Sequence, residues 1–222
     1  MGFHHQVSAQ LTIRNTTRAD APGIQLTIRR AFDVPLDEDC DDCMGLDALS
    51  LQIKRFPEGQ FVAVYCEGDS ERIVGTAHTM RVNQPPSPAP WFDVIGSLGI
   101  RNHDPQGEWL YGVEMAVHPD YRRRGIGTAL YEARFDLVRR LNLKGWYAGG
   151  MLMGYENYCD QMSIAEYGEA VLKGEIIDPT VTMQKNRGFE LRELILDYME
   201  EPPAGDAAIL IVWENPDYRA PS

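Results

Sequence analysis

A chain of 222 residues with 44% hydrophobic content can bury one substantial core, and no run in it stays apolar long enough to span a bilayer. Asp and Glu number 33 against 21 Lys and Arg, and the formal charge of −12 at pH 7 supplies no basic face for nucleic acid. The N-terminal MGFHHQVSAQ has neither the charged nor the apolar segment of a secretion signal, so the expectation is a single cytoplasmic domain without membrane or nucleic-acid partners.

Residues 1–10 read as a loose terminus, and Leu11-Thr12-Ile13-Arg14 alternates as a short strand. Thr17-Arg18-Ala19-Asp20 then reads as a helix start, with Pro22 in the first turn and Ile24, Ile28, Ala31 and Phe32 at helical spacing. Residues 33–42 are dense in carboxylates and read as a solvated loop, one that can also attract an amine. Leu46, Leu49, Ile53 and Phe56 form a second helical stripe closed by Pro57-Glu58-Gly59. Residues 61–66 and 73–82 are rich in β-formers on either side of Glu67-Gly68-Asp69, which predicts a hairpin; His78 falls on its strand face and reads as structural. Residues 83–102 hold many Pro, Ser and Gly around Trp91-Phe92 and read as an ordered loop over the sheet. Of the four cysteines only Cys40 and Cys43 are closely spaced; one C-x-x-C is half a zinc site, so these read as loop thiols and no metal is expected.

The next segment is the most informative. Val113-Glu114-Met115-Ala116-Val117 reads as a strand that ends at His118-Pro119-Asp120, because proline cannot donate to a ladder. From Ile126 the apolar residues Leu130, Ala133, Leu137 and Leu141 recur at helical spacing, while Glu132, Asp136, Arg139 and Arg140 fall elsewhere on the wheel. Between strand and helix stands Arg122-Arg123-Arg124-Gly125-Ile126-Gly127. Its glycines admit a ligand to the backbone, its arginines run against the acidic global charge, and the first helical turn leaves amides unpaired, which together describe a seat for an anion such as pyrophosphate. Residues 144–150 resume a strand. A capping box at Ser163-Ile164-Ala165-Glu166 and a stop at Gly174 predict a helix, Asp178-Pro179 opens another, and residues 190–196 and 207–213 pair as a last hairpin.

The strand, turn and helix resemble the cofactor-binding motif of the GNAT acyltransferase superfamily, whose pattern is Q/R-x-x-G-x-G/A directly after a strand; Arg122, Gly125 and Gly127 occupy its fixed positions. The stretches RLNLKGWYAGGMLMGYENYCDQMS and DPTVTMQKNRGFELREL are similar to the acyltransferase domain that precedes a nitrilase-like amidase in some bacterial fusion proteins. The resemblance implies a mixed α/β fold with a largely antiparallel central sheet flanked by helices; residues 151–178, long for one connection and carrying the capping box, read as a helical insertion in that single domain. It implies an N-acetyltransferase that moves acetyl from acetyl-CoA to a primary amine, on a small molecule or a peptide, in a ternary complex; a homodimer is compatible with it. The pyrophosphate would lie on the amides of Arg123, Arg124, Gly125, Ile126, Gly127 and Thr128, with Arg122 at the turn, and the pantetheine arm along Met115, Ala116 and Val117.

An amine is protonated at neutral pH, so attack on a thioester needs a group that removes a proton. Glu114 is the candidate, a carboxylate in an apolar run beside the residues assigned to pantetheine, with family precedent for a base on this strand. Strand alternation could instead turn it toward water. Many GNAT enzymes protonate the departing thiolate with a tyrosine five residues ahead of the Phe of the G-F pair, here the position of Gln184. Glutamine is no acid, so either the thiolate leaves unassisted or Tyr155 or Tyr158 substitutes, Tyr155 being the candidate and aromatic packing the plain alternative. The same departure leaves open a non-catalytic acyl-CoA sensor.

Overall fold

The computed structural model describes residues 2–35 and 44–220. The acidic run from Asp37 to Asp42, with Cys40 and Cys43, lies outside the described residues. In chain order the elements are β1 (His4–Gln6), β2 (Leu11–Asn15), α1 (Ala21–Ala31), α2 (Leu46–Arg55), β3 (Gln60–Glu67), β4 (Ser70–Val82), α3 (Trp91–Ile95), β5 (Trp109–Val117), α4 (Ile126–Arg140), β6 (Gly145–Met151), α5 (Ile164–Lys173), α6 (Pro179–Lys185), β7 (Glu190–Ile195) and β8 (Ala208–Glu214). The eight strands form one mixed sheet in the order β1-β2-β3-β4-β5-β6-β8-β7. Every neighbouring pair is antiparallel except β5 with β6, which are parallel because α4 carries the chain back across the sheet between them.

Two local expectations need correction. The stretch read as a loose terminus contains β1, a three-residue edge strand whose side chains are all exposed; it has no apolar pattern to read and exists through its ladder with β2. The loop over the sheet contains α3, five residues long and too short to show a period, anchored by the buried Trp91. Elsewhere local chemistry explains the elements directly. At α5, Ser163 Oγ accepts from the Glu166 amide at 3.3 Å and the Glu166 carboxylate accepts from the Ser163 amide at 2.8 Å, and the helix stops at Gly174 with φ +77°. At α1, Asp20 turns its carboxylate to Arg14 at 2.7 Å and to Thr17 instead of capping the helix.

The core is continuous from Leu11 and Ile13 on β2 to Ile209 and Ile211 on β8, with Trp146 and Tyr147 among its largest sealed side chains. Helix α4 lies on one face, where Ile126 and Leu130 come against Gly75 of β4, and α1 covers the other, where Gly23 meets Ile73. Facing residues follow from this: Met115, opposite Ala77, points to α4, and Glu114, opposite His78, points away from it. No described helix is long and apolar enough to cross a membrane.

The long connection after β6 is tied down by one carboxylate. Asp178, fully buried, accepts from the amides of Gly154, Thr180 and Val181 at 2.8, 2.8 and 3.0 Å and from the Tyr167 hydroxyl at 3.1 Å. Asp178→Ala would strand four donors, three of them in buried bonds, and should cost about 3 kcal/mol, lowering Tm by roughly 6–12 °C in a thermal melt. Asp178→Asn, which keeps an acceptor oxygen, should cost less.

Candidate active site

Strands β5 and β6 pair at only three positions, Trp109↔Gly145, Leu110↔Trp146 and Tyr111↔Tyr147. Beyond that rung β5 continues to Val117 and β6 to Met151, but the strands part. A bulge in the β4–β5 ladder, between His78 and Thr79, sits where the divergence begins and bends β5 away. Two side chains wedge the gap. Trp91 Nε1 donates to the Val113 carbonyl at 2.9 Å, and the Tyr198 hydroxyl accepts from the Gly149 amide at 3.3 Å while bonding Tyr111 at 2.9 Å. Gly149 is required here, since an added Cβ would stand 2.3 Å from the Tyr198 ring. Met115, Ala116 and Val117 pair with β4 on one side and face the parting on the other.

The arginine turn lies at the open end of this gap. Arg122, Arg123, Arg124 and Gly125 are exposed, Arg123 and Gly125 have φ of +60° and +79°, and Gly125 caps α4. Among the described residues no protein acceptor takes the amides of Arg123 through Thr128, so the first turn of α4 presents them outward. A Cβ added at Gly127 would meet no protein atom within 4 Å: space, not packing, surrounds it. Arg122 reaches the Ala31 carbonyl at 3.1 Å, and Arg124 stacks over Tyr65 and Tyr121. The Ile126 side chain is buried in the core, leaving only its backbone to the turn. Thr128 Oγ1 accepts from Arg187 Nη2 at 2.9 Å, which brings in a fourth arginine that sequence spacing did not connect to the turn. An anionic, phosphate-bearing ligand fits this arrangement.

Glu114 lies on the face of β5 turned from α4, half-buried and without a hydrogen bond or ion pair among the described residues. Loss of water around its carboxyl pushes its pKa up to about 8. Its cross-strand partner His78 is fully buried, its ring nitrogens engaged by Thr76 at 2.7 Å and Gln60 at 3.0 Å, and burial depresses its pKa to about 3, so it stays neutral. Tyr155 is placed elsewhere: its hydroxyl donates to the Met162 carbonyl at 3.2 Å and its ring packs on Tyr167 and beside Gly205.

On the α4 face the structure assembles a cluster that sequence reading missed. Gln184 of α6 donates from Nε2 to the Tyr131 hydroxyl at 3.2 Å, and its Oε1 is buried without a partner. Arg134, 3% exposed, stacks on the rings of Tyr131 and Trp146 at 4.4 and 4.2 Å and donates to Leu130 O and Met115 Sδ. The signal for Arg134 was present, since it falls in phase with Leu130 and Val138 on the buried stripe of α4. Among the described residues no group of three or more His, Cys, Asp or Glu side chains could hold a metal.

Comparison with known proteins places these features in context. Residues 27–151 match the acetyltransferase (GNAT) family. The probable hydrolase YhcX of Bacillus subtilis is 36% identical across 94% of this chain, but the chain spans only 39% of that relative's length. The uncharacterized N-acetyltransferase YkwB of the same organism is 29% identical over 96% of this chain and 92% of its own. Among solved structures, the GphF GNAT-like decarboxylase in complex with isobutyryl-CoA shares the fold, with a TM-score of 0.73 over 91% of this chain and 98% of its own at 20% identity. With the motif on Arg122, Gly125 and Gly127, the parted strands and a family match over more than half its length, this chain belongs to the GNAT acetyltransferase family.

Proposed function

We propose that the protein is an N-acetyltransferase that moves acetyl from acetyl-CoA to a primary amine of a small molecule or peptide by direct attack in a ternary complex. One observation carries this reading: the unpaired amides at the start of α4 open onto the free edge of β5, and along that same strand stands a carboxyl without a partner, Glu114. The name of YkwB and the acyl-CoA held by the GphF structure support it. When bound, the CoA thioester supplies an acyl carbon that an amine can attack. The turn from Arg122 to Thr128 and Arg187 would hold the phosphates, and the edge of Met115, Ala116 and Val117 would align the pantetheine arm. Glu114, reached from the opposite face of the sheet, accepts a proton from the amine as the C–N bond forms and the C–S bond breaks. A base with a pKa near 8 suits an ammonium acceptor better than an ordinary carboxylate does, because the proton moves over a smaller gap. The reading is tested by thermal shift with acetyl-CoA and by CoA release across a panel of amines.

Gly127→Leu should separate fold from binding. The added Cβ meets no packed neighbour, so Tm should stay within about 2 °C or rise through better helix propensity, while acetyl-CoA affinity measured by calorimetry should fall at least about tenfold. Wild-type kcat should climb with pH through about 8, and Glu114→Gln should lose that limb together with about 10²- to 10⁴-fold in kcat, the loss shrinking as free amine accumulates at high pH. The same group sets a stability trend. Its folded pKa of about 8 exceeds the ordinary 4.5, so the folded state holds a proton that the unfolded chain releases, and stability declines as pH rises between those values. Glu114→Gln removes this decline, and the variant should melt roughly 3–8 °C above wild type at pH 8, with the difference closing toward pH 4.

A further inference from the structure

Breaking a thioester leaves a thiolate, and a proton or cation waiting where that charge develops lowers the barrier. Glu114 acts as a base from the other face of the sheet, so the proton for sulfur comes from elsewhere. Several other phenols have theirs committed: Tyr147 donates to Gln84 O at 3.2 Å, Tyr155 to Met162 O at 3.2 Å and Tyr167 to Asp178 at 3.1 Å. Tyr111 and Tyr198 bond each other, and burial holds both above the ordinary tyrosine range.

Tyr131 differs from all of these in standing between two guanidinium groups. It lies on α4 one turn beyond the cofactor turn, 4% exposed, and its oxygen accepts from Gln184 Nε2 while its own proton meets no acceptor among the described residues. Gln184 thus orients a phenol belonging to another helix. Two guanidinium groups flank the ring, Arg134 at 4.4 Å and Arg187 at 4.9 Å, and Arg187 also reaches Thr128 of the turn. Among the described residues Arg134 has no carboxylate partner, and burial lowers its pKa to about 10 with the Tyr131 oxygen partly opposing that effect. A sealed cation without a counter-ion is costly at rest and becomes favourable when negative charge arises beside it, which is the signature of a site organised for a charge that appears during reaction. Its contact with Met115 Sδ at 2.9 Å puts it against the strand assigned to the pantetheine arm.

We propose that Tyr131 donates its phenolic proton to the sulfur of CoA as the C–S bond breaks, with Arg134 and Arg187 stabilising the tyrosinate left behind. The electron pair of the broken bond stays on sulfur, which takes the Tyr131 proton; the amine proton goes to Glu114; after product leaves, Glu114 releases that proton to solvent and solvent returns one to Tyr131, so both groups are reset. This rests on the acyltransferase reading and specifies the acid that reading leaves unassigned.

Tyr131→Phe tests it, since the variant keeps the ring, its stacking and its bulk. By calorimetry, wild type should bind CoA about 3- to 10-fold more tightly than desulfo-CoA, which lacks the sulfur, and Tyr131→Phe should erase that preference while leaving desulfo-CoA affinity unchanged. With acetyl-CoA and a competent amine its kcat should fall about 10²-fold or more. Adding Gln184→Tyr to Tyr131→Phe, which returns a phenol to the same seam from α6, should restore part of the loss. Persistence of the sulfur preference in Tyr131→Phe overturns the proposal, and so does wild-type kcat in that variant. A fall in desulfo-CoA affinity equal to that for CoA shows a packing role and overturns it as well. Should no CoA species bind the wild type, the acyltransferase reading fails and this assignment with it, whereas CoA binding with an unmoved Tyr131→Phe removes this assignment alone.

Discussion

The parting of β5 from β6 is the constraint on which the rest of the site depends. Two parallel strands that share three rungs and then diverge leave backbone donors and acceptors along both inner edges, and buried backbone groups need partners. The protein supplies two of these itself, the Trp91 indole on Val113 O and the Tyr198 hydroxyl on the Gly149 amide, both close to the last rung. Further out, the edge of Met115 to Val117 stays unpaired on the β6 side, and in the proposed reading a pantetheine arm with its amides pairs there as a strand would. The bulge at His78 and Thr79 starts the bend, and the loop holding α3 and the loop holding Tyr198 keep it open, joined by the bond from the Trp91 amide to Tyr198 O at 2.7 Å.

Opening the sheet also divides the chemistry between its faces. Alternation along β5 sends Glu114 to the α1 side and Met115 to the α4 side, so the candidate base and the cationic cluster around Tyr131 stand on opposite sides of one strand. Each face has a polarity that suits the role proposed for it. On the α1 side a half-buried carboxyl without a partner among the described residues has its pKa raised to about 8 by loss of water, next to a histidine that burial keeps neutral. On the α4 side the guanidinium groups of Arg134 and Arg187 share the faces of one phenol, and among the described residues no carboxylate pairs with Arg134. An acceptor amine and a departing thiolate would meet these groups from different directions, so the proton taken and the proton given need not pass through a common residue.

Local electrostatics run against the whole. In a chain with a net charge of −12, Arg122, Arg123, Arg124 and Arg187 gather at the N-terminus of α4, where the helix already presents unpaired amides. Arg187 is the link between the two halves of the site, because it touches both Thr128 of the turn and the ring of Tyr131.

By itself the sequence determined what depends on neighbours in the chain. The strand, the R-x-x-G-x-G turn and α4 follow from a proline stop, glycines at the turn and an apolar stripe, and the ends of α5 and α6 follow from the capping box at Ser163 and the Asp178-Pro179 pair. Glu114 could be singled out as a carboxylate inside an apolar strand, but its face and its missing partners came from pairing with β4. Only the tertiary structure decided the edge strand β1, the short α3, the divergence of β5 and β6, and the cluster of Tyr131, Arg134, Gln184 and Arg187. The edge strand β1 has no apolar pattern and exists through its ladder with β2, whereas the site features are made by contacts across tens of residues, Gln184 to Tyr131 and Arg187 to Thr128 among them, and neither period nor spacing in a sequence records which distant side chains a twisted, bulged sheet will bring together.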